Sequence, residues 1–390
     1  MAPKKKKLDL PMSSESGALP MTTSKGREAA KKELLSGLKR KFGERVTLGG
    51  INKDYVFDVI PTGSLTLDIA LGVGGVPRGR IVEIAGMEST GKTTLALKII
   101  ANAQKMGYKC AFVDTEFALS PKWAESLGVN MAELDVYEAD VLEVAGELLV
   151  RLAESGVYDV LVFDSIAATG TNAVHEGELG DANMGVRARI LGQLMEKIKG
   201  IVTYNKQWLV LINQLRMTMD QYNPHVAPGG KAVPFAATQR IFLTSKKQKV
   251  DSGQEVQYNI VRAKVEKNKV ASPYKVGEYH LHFETGDIDT LSEVADILTN
   301  RAHLEKLGVV QSGAWYMLPD VLYPEGYDPE KINGAAKLVH VLSSDVEHAY
   351  NVVIPYIREK LVANEDAGAR RHTGEVGPEE LSKEIESSEE

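Results

Sequence analysis

The segment that most restricts the fold of this chain is "RIVEIAGMESTGKTTLALKIIANAQKMG", which runs from Arg80 to Gly107. An apolar run ends in a glycine, four residues lead to Gly91, Lys92 and Thr93, and helical spacing follows at once. The pattern G-x-x-x-x-G-K-[ST] between a strand and a helix commits this part of the chain to a phosphate loop in an α/β layer. Glycines at Gly86 and Gly91 let backbone amides curl around a phosphate, to which the following helix adds its positive end. Lys92 reaches the β- and γ-phosphate oxygens, and the Thr93 hydroxyl can ligate Mg²⁺. Met87, Glu88, Ser89, Thr90 and Thr94 complete the candidate cradle.

The same alternation continues on both sides. "KCAFVDTE", "LDVYEA", "YDVLVFDS", "QWLVLINQ" and "QRIFLTSKK" read as further strands, the central ones rich enough in Val, Ile, Leu and Phe to be covered on both faces. "VLEVAGELLVRLAESG" has helical spacing. The expected fold is therefore α/β, a P-loop ATPase core on a mostly parallel central sheet. Beyond residue 290, "LSEVADILTNRAHLEKLGVVQSGAWYML" and "GAAKLVHVLSSDVEHAYNVVIPYIREKL" read as mostly helical and suggest a small second domain.

Three strand ends carry candidate chemistry. Asp164 closes "VLVFD", where a carboxylate can hold Mg²⁺ directly or through water. Asp114 and Glu116 close another strand; alternation predicts both on one side, and Glu116 could orient an attacking water as general base. Gln214 closes "LVLINQ", where its amide could sense a γ-phosphate. On spacing alone a solvated carboxylate at Glu116 and a plain strand-edge pair at Lys267 and Lys269 are equally ordinary readings.

Charge and composition narrow the class. The net charge of −7 hides an uneven distribution: residues 1–50 hold 12 Lys/Arg against 5 Asp/Glu, and residues 361–390 hold 3 against 9. Any contact with nucleic acid must therefore come from local placement. Cys110 is the only cysteine, which removes intrachain disulfides and zinc fingers and suits a reducing compartment. No apolar stretch is long enough to span a membrane. Residues 1–23 read as a disordered basic leader, in which Lys4 to Lys7 match either an import signal or a solvated arm. Residues 24–54 read as a helix and linker, with Ser24 as cap and Leu34, Leu35, Leu38 and Phe42 as one stripe. The core spans 55–290, the second domain 291–361, and an acidic tail 362–390.

Taken in order, "PTGSLTLDIALGVGGVPRGR", the phosphate loop, "DVLVFDSIAA", "EGELGDANMG", "INQLRM", "PGGKA", "KVEKNKVASPYK" and "SGAWY" resemble the RecA family of homologous-recombination ATPases over residues 55 to 320. The divergent leader and tail are compatible with a phage-encoded member. The resemblance implies an N-terminal helix that docks on the neighbouring protomer and a small C-terminal α/β domain. It implies filaments assembled with ATP and Mg²⁺ on single-stranded DNA, homology search and strand exchange with duplex DNA in the cytoplasm. Loading mediators and a single-strand-binding protein are implied as partners. It gives Glu116 the catalytic-base role, Asp164 the magnesium role, and Gln214 the link between γ-phosphate and DNA. Lys267 and Lys269 match the pair that reaches the neighbour's γ-phosphate, and alternation on a strand points both the same way. The first DNA loop, near 175–189, carries Met184 as a wedge and Arg189 for phosphate. The second, near 215–231, carries Arg216, Gly229 and Gly230 by the backbone, and Lys231 where the family usually has asparagine.

Departures are specific. Ser120 stands where an aspartate near the adenine is usual, Trp123 where a tyrosine stacks, Pro234 where a lysine is usual, and Glu196 where an arginine is common. A hexameric helicase of the same core fold would share the loop and both carboxylates; "EGELGDANMG" and "KNK" favour the recombinase. A DNA-coating filament that hydrolyses ATP without exchanging strands shares every motif.

Overall fold

The computed structural model describes residues 24–42, 57–176, 185–217, 225–226, 229–247, 258–282, 284–325 and 332–362. The chain divides into two units, Met1–Val56 and Phe57–Glu390. The first holds helix α1 (Ser24–Phe42). Leu34 is exposed on it.

In the second unit the order is β1 (Val59–Ile60), α2 (Leu65–Leu71), β2 (Val76–Pro77), β3 (Arg80–Gly86), α3 (Lys92–Lys105), β4 (Cys110–Asp114), α4 (Pro121–Ser126) and β5 (Leu134–Glu138). There follow α5 (Leu142–Ser155), β6 (Val160–Asp164), α6 (Asn172–Glu176), α7 (Val186–Tyr204), β7 (Trp208–Gln214), β8 (Arg216–Met217), β9 (His225–Val226) and α8 (Ala232–Ala236). The remainder is β10 (Gln239–Lys247), β11 (Tyr258–Asn268), β12 (Val276–His282), α9 (Thr290–Thr299), α10 (Leu304–Leu307), β13 (Val310–Ser312) and β14 (Trp315–Met317). It closes with β15 (Ile332–Asn333), α11 (Gly334–Ser344), α12 (Val346–His348) and α13 (Ile354–Leu361).

Eight strands form one sheet in the order β12-β11-β10-β3-β7-β6-β4-β5. From β10 to β5 the neighbours run parallel, and β11 and β12 extend the sheet antiparallel. The composition explains the split. β4 and β6 are buried at every residue, as strands with helices on both faces must be, while β11 alternates buried and open residues. Helix α3 covers one face with Leu95, Ile99 and Ile100 against Val82, Ile84 and Val210. Helices α5 and α7 cover the other, with Leu149 and Ile198 against Ile81, Leu161 and Leu209. Phosphate loop, Asp114, Asp164 and Gln214 all stand at the carboxyl ends of neighbouring parallel strands, the position from which open α/β sheets bind ligands.

Residues beyond 290 are mostly helical, as expected, with a small sheet among the helices. β13 and β14 pair as a hairpin around Gly313, whose φ of 63° suits a residue without Cβ, and β15 adds a third strand. Short strands of Val, Trp and Tyr beside a glycine turn follow a two-residue period that the helical flanks obscure. A third apolar cluster joins α9, α11 and α13 to Leu65 and Ile69 of α2.

Candidate nucleotide and nucleic-acid sites

The phosphate loop leaves β3 at a glycine because nothing larger fits: a Cβ on Gly86 would lie 2.5 Å from Thr90 Oγ1 and 2.8 Å from the Leu243 carbonyl oxygen. Gly91, at φ 86°, turns the chain into α3 in the left-handed region that a side chain disfavours. Thr90 Oγ1 donates to the Met87 carbonyl at 2.9 Å, and Lys92 Nζ donates to the same oxygen at 2.8 Å. The lysine thus lies folded over its own loop. Burial pushes its pKa down, opposed by Asp164, Glu116 and Glu88.

Thr93 Oγ1 donates to Asp164 Oδ2 at 2.6 Å, which joins the two candidate magnesium ligands. Burial pushes the Asp164 carboxyl up to about 7, Glu116 and Asp114 add to that, and Thr93 and Lys92 oppose it. Both ligands are hard oxygens, as Mg²⁺ requires. Among the described residues no cluster of three or more His, Cys, Asp or Glu could hold a metal unaided. Such a pair suits an ion whose remaining positions are filled by phosphate and water.

Asp114 and Glu116 do not share a side. β4 ends at Asp114, and the buried Asp114 carboxylate accepts from the backbone N–H groups of Glu116, Phe117, Ala118 and Leu119 at 2.9–3.1 Å. Asp114 builds the turn, and the turn presents the exposed Glu116. Two-residue alternation stops where the strand stops, so the expected pairing fails. Glu116 Oε1 accepts from Ser165 Oγ at 2.6 Å and from Gln214 Nε2 at 2.7 Å. Ser165 escaped the sequence reading because a serine after an aspartate carries no motif. Neighbouring Thr115 joins the ends of β4 and β6, with Oγ1 3.1 Å from the Asp164 carbonyl and 3.0 Å from that of Ser165.

Ser120 caps α4 by accepting from the Trp123 N–H at 3.4 Å. Trp123 is half-buried, and its ring edge lies where a Cβ on Gly286 would come within 2.8 Å. Lys267 and Lys269 converge on the carboxyl end of α8: Lys267 Nζ donates to the Pro234 carbonyl, and Lys269 Nζ to that of Phe235 at 3.3 Å. β11 ends at Asn268, so Lys269 lies one residue past the strand expected to carry both lysines. Their convergence comes from α8, whose exposed carbonyls attract cations.

Of the nucleic-acid candidates, Met184 lies outside the described residues, as does most of both loops; Lys4 to Lys7 and the acidic tail lie outside them too. Arg189 is exposed on the first turn of α7. Arg216 is exposed in a short hairpin of β8 with β9, and Lys231 is exposed just before α8. Gly229 has φ 103°, and a Cβ there would meet Leu191 Cδ1 at 2.4 Å; Gly230 has φ 75°, and a Cβ there would lie 3.2 Å from that of Ala188. Gly229 and Gly230 therefore lie against the start of α7. Arg187, missed in the sequence, turns inward: Nη2 donates to the Thr169 carbonyl at 2.7 Å and Nη1 to that of Ala167. Burial and the nearby Arg216 push its pKa down.

A phosphate loop, an aspartate at the end of the strand two places along the sheet and a glutamate held by a glutamine define a P-loop nucleoside triphosphatase. The description "RecA N-terminal domain" fits residues 29–288. The chain is 42% identical over 309 residues to Protein RecA of Caldanaerobacter subterraneus subsp. tengcongensis, covering 78% of this chain and 88% of that protein. It is 38% identical over 349 residues to Protein RecA of Thermus thermophilus, covering 88% and 98%, and 43% identical over 301 residues to that of Syntrophus aciditrophicus, covering 76% and 85%. The chain belongs to the RecA family. It is a DNA-dependent ATPase of the strand-exchange class that binds nucleotide and DNA and self-associates, which sets the hexameric helicase aside. Among the described residues no helix is long and apolar enough to cross a membrane.

Proposed function

We propose that this protein assembles with ATP and Mg²⁺ into helical filaments on single-stranded DNA in the cytoplasm and exchanges that strand with a homologous duplex, aided by loading mediators and a single-strand-binding protein. The observation that carries the reading is the shared Glu116 oxygen. One acceptor held by Ser165 and Gln214 links a candidate general base to the strand that enters the second DNA loop. Lys92 leaves the Met87 carbonyl for the β- and γ-phosphates, and Trp123 offers its indole to the base. Thr93 and Asp164 hold Mg²⁺, which would supply Lewis-acid stabilisation of phosphate charge. Glu116 accepts the proton of the attacking water. Gln214 is released from Glu116 when a γ-phosphate competes for its amide, and so passes nucleotide state to Arg216 and the loop beyond. Lys267 and Lys269 act on the nucleotide of the adjoining protomer. Met184, Arg189, Arg216, Gly229, Gly230 and Lys231 contact DNA through wedging, phosphate and backbone, a mode that is independent of sequence and sensitive to salt.

Paired substitutions test it. Glu116→Gln retains nucleotide binding and filaments and slows hydrolysis by about 10²-fold or more, the size of a general-base contribution. Lys92→Ala loses ATP-dependent strand exchange. Normal turnover by the first or full exchange by the second refutes these roles.

A further inference from the structure

Glu83 is fully buried in β3, a strand otherwise of Arg, Ile, Val, Ala and Gly. A carboxylate persists in such a place only when neighbours satisfy it. Asn213 Nδ2 on β7 donates to Glu83 Oε1 at 2.8 Å, and Arg240 Nε on β10 donates to Oε2 at 2.5 Å. Arg240 stands directly opposite Glu83 across β3 and β10, and directly opposite Lys267 across β10 and β11. Side chains of directly opposed residues share one face of a sheet, so these three line up side by side. Asn213 is opposite Ala85, two residues beyond Glu83, and falls on that same face. The outcome is a polar ladder, Asn213, Glu83, Arg240 and Lys267, across four adjacent strands. It joins the strand that ends in Gln214 to the strand that carries Lys267.

We propose that Glu83 is a positioning residue for the ATPase reaction: its carboxylate offsets the charge of Arg240, so that Lys267 and Lys269 can be held together and protonated at the end of α8. The inference rests on the reading of Lys267 and Lys269 as cations that act on the adjoining protomer's nucleotide. Without Glu83, three cations would crowd one corner of the sheet, where the Pro234 and Phe235 carbonyls face the two lysines. The charged groups that bear on Lys267 are Lys269, Arg240 and Glu83. Burial, then Lys269 and Arg240, push the Lys267 pKa down to about 8, and Glu83 is the group that acts in the opposite sense. A lysine in that range loses its proton close to neutral pH, so its neighbour's charge matters to function.

The test is the pH profile of DNA-stimulated hydrolysis at saturating nucleotide. Protonated Lys267 is the active form, so turnover falls as pH rises through its pKa. Glu83→Gln moves this alkaline limb to lower pH by about half a unit or more, the direction in which loss of a nearby opposite charge acts. Arg240→Gln moves it to higher pH, because Arg240 bears on Lys267 more strongly than Glu83 does. Lys267→Arg abolishes the limb, since a guanidinium does not titrate there. An unchanged limb in Lys267→Arg refutes the reading of Lys267 and leaves Glu83 without its target. Loss of the limb in Lys267→Arg, with wild-type limbs in both ladder variants, overturns the inference alone. If Glu83→Gln does not fold, the double variant Glu83→Gln, Arg240→Gln has no unpaired charge. Its limb then lies below that of Arg240→Gln, and coincident limbs overturn the proposal.

Discussion

Glu293 offers the most quantitative test of how this fold is held. It lies on α9, is 2% exposed, and reaches back 229 residues to the start of α2. Its Oε1 accepts from Ser64 Oγ at 2.5 Å, the Thr66 N–H at 3.1 Å and Thr66 Oγ1 at 2.7 Å, and Oε2 accepts from the Leu65 N–H at 3.1 Å. In Glu293→Ala the hydroxyls can re-pair, since Ser64 Oγ and Thr66 Oγ1 are already 3.1 Å apart and Thr66 also donates to the Glu278 carbonyl. The two backbone N–H groups at the helix start have no such recourse. Each buried donor left unmade costs about 1–3 kcal/mol, partly offset by removal of a buried charge, so a net loss of about 3 kcal/mol is expected. Hydrogen exchange reads this locally, because 3 kcal/mol lowers protection about 10²-fold in α2 and α9. Burial pushes the Glu293 carboxyl up from 4.5 to about 7, against its donors Ser64, Thr66 and Leu65. A folded pKa above the unfolded one means the folded state binds the proton more tightly. The contribution is full below about pH 4.5 and is lost as pH rises through about 7. Glu293→Gln removes that slope. Protection in α2 and α9 that changes less than threefold in Glu293→Ala refutes the cap, and the same pH slope in Glu293→Gln refutes its titration.

Two other outcomes follow from the site. On the proposal that Asp164 holds Mg²⁺, a proton competes for its carboxyl, which is pushed up to about 7, so Mg²⁺-dependent nucleotide affinity is expected to rise with pH to about 7 and then level; calorimetry of Asp164→Asn should lack the rise. Gly229→Ala places a Cβ against Leu191 at φ 103°, which costs about 1–2 kcal/mol of strain. Single-stranded DNA affinity then falls about tenfold with nucleotide affinity unchanged, as fluorescence anisotropy would measure, and equal DNA affinity would refute a DNA contact at Gly229.

What the sequence determined by itself is local. The phosphate loop between β3 and α3, the buried runs of β4, β6 and β7 and the amphipathic α3 and α5 are legible because period and turn chemistry are properties of consecutive residues. Alternation stops with the strand at Asp114, short of Glu116, whereas Lys269, one residue past β11, still meets Lys267 at the α8 carbonyls as expected; the short period of β13 and β14 lies hidden among helices. The tertiary structure alone decided which distant groups meet. Register set Arg240 between Glu83 and Lys267, and the order of β3, β7, β6 and β4 brought Gln214 and Ser165 to one oxygen of Glu116. The packing of α9 beside α2 aimed Glu293 at a helix start. A lone serine, glutamate or asparagine has no pattern in a sequence, because its partner is chosen by neighbouring strands and helices and not by neighbours in the chain.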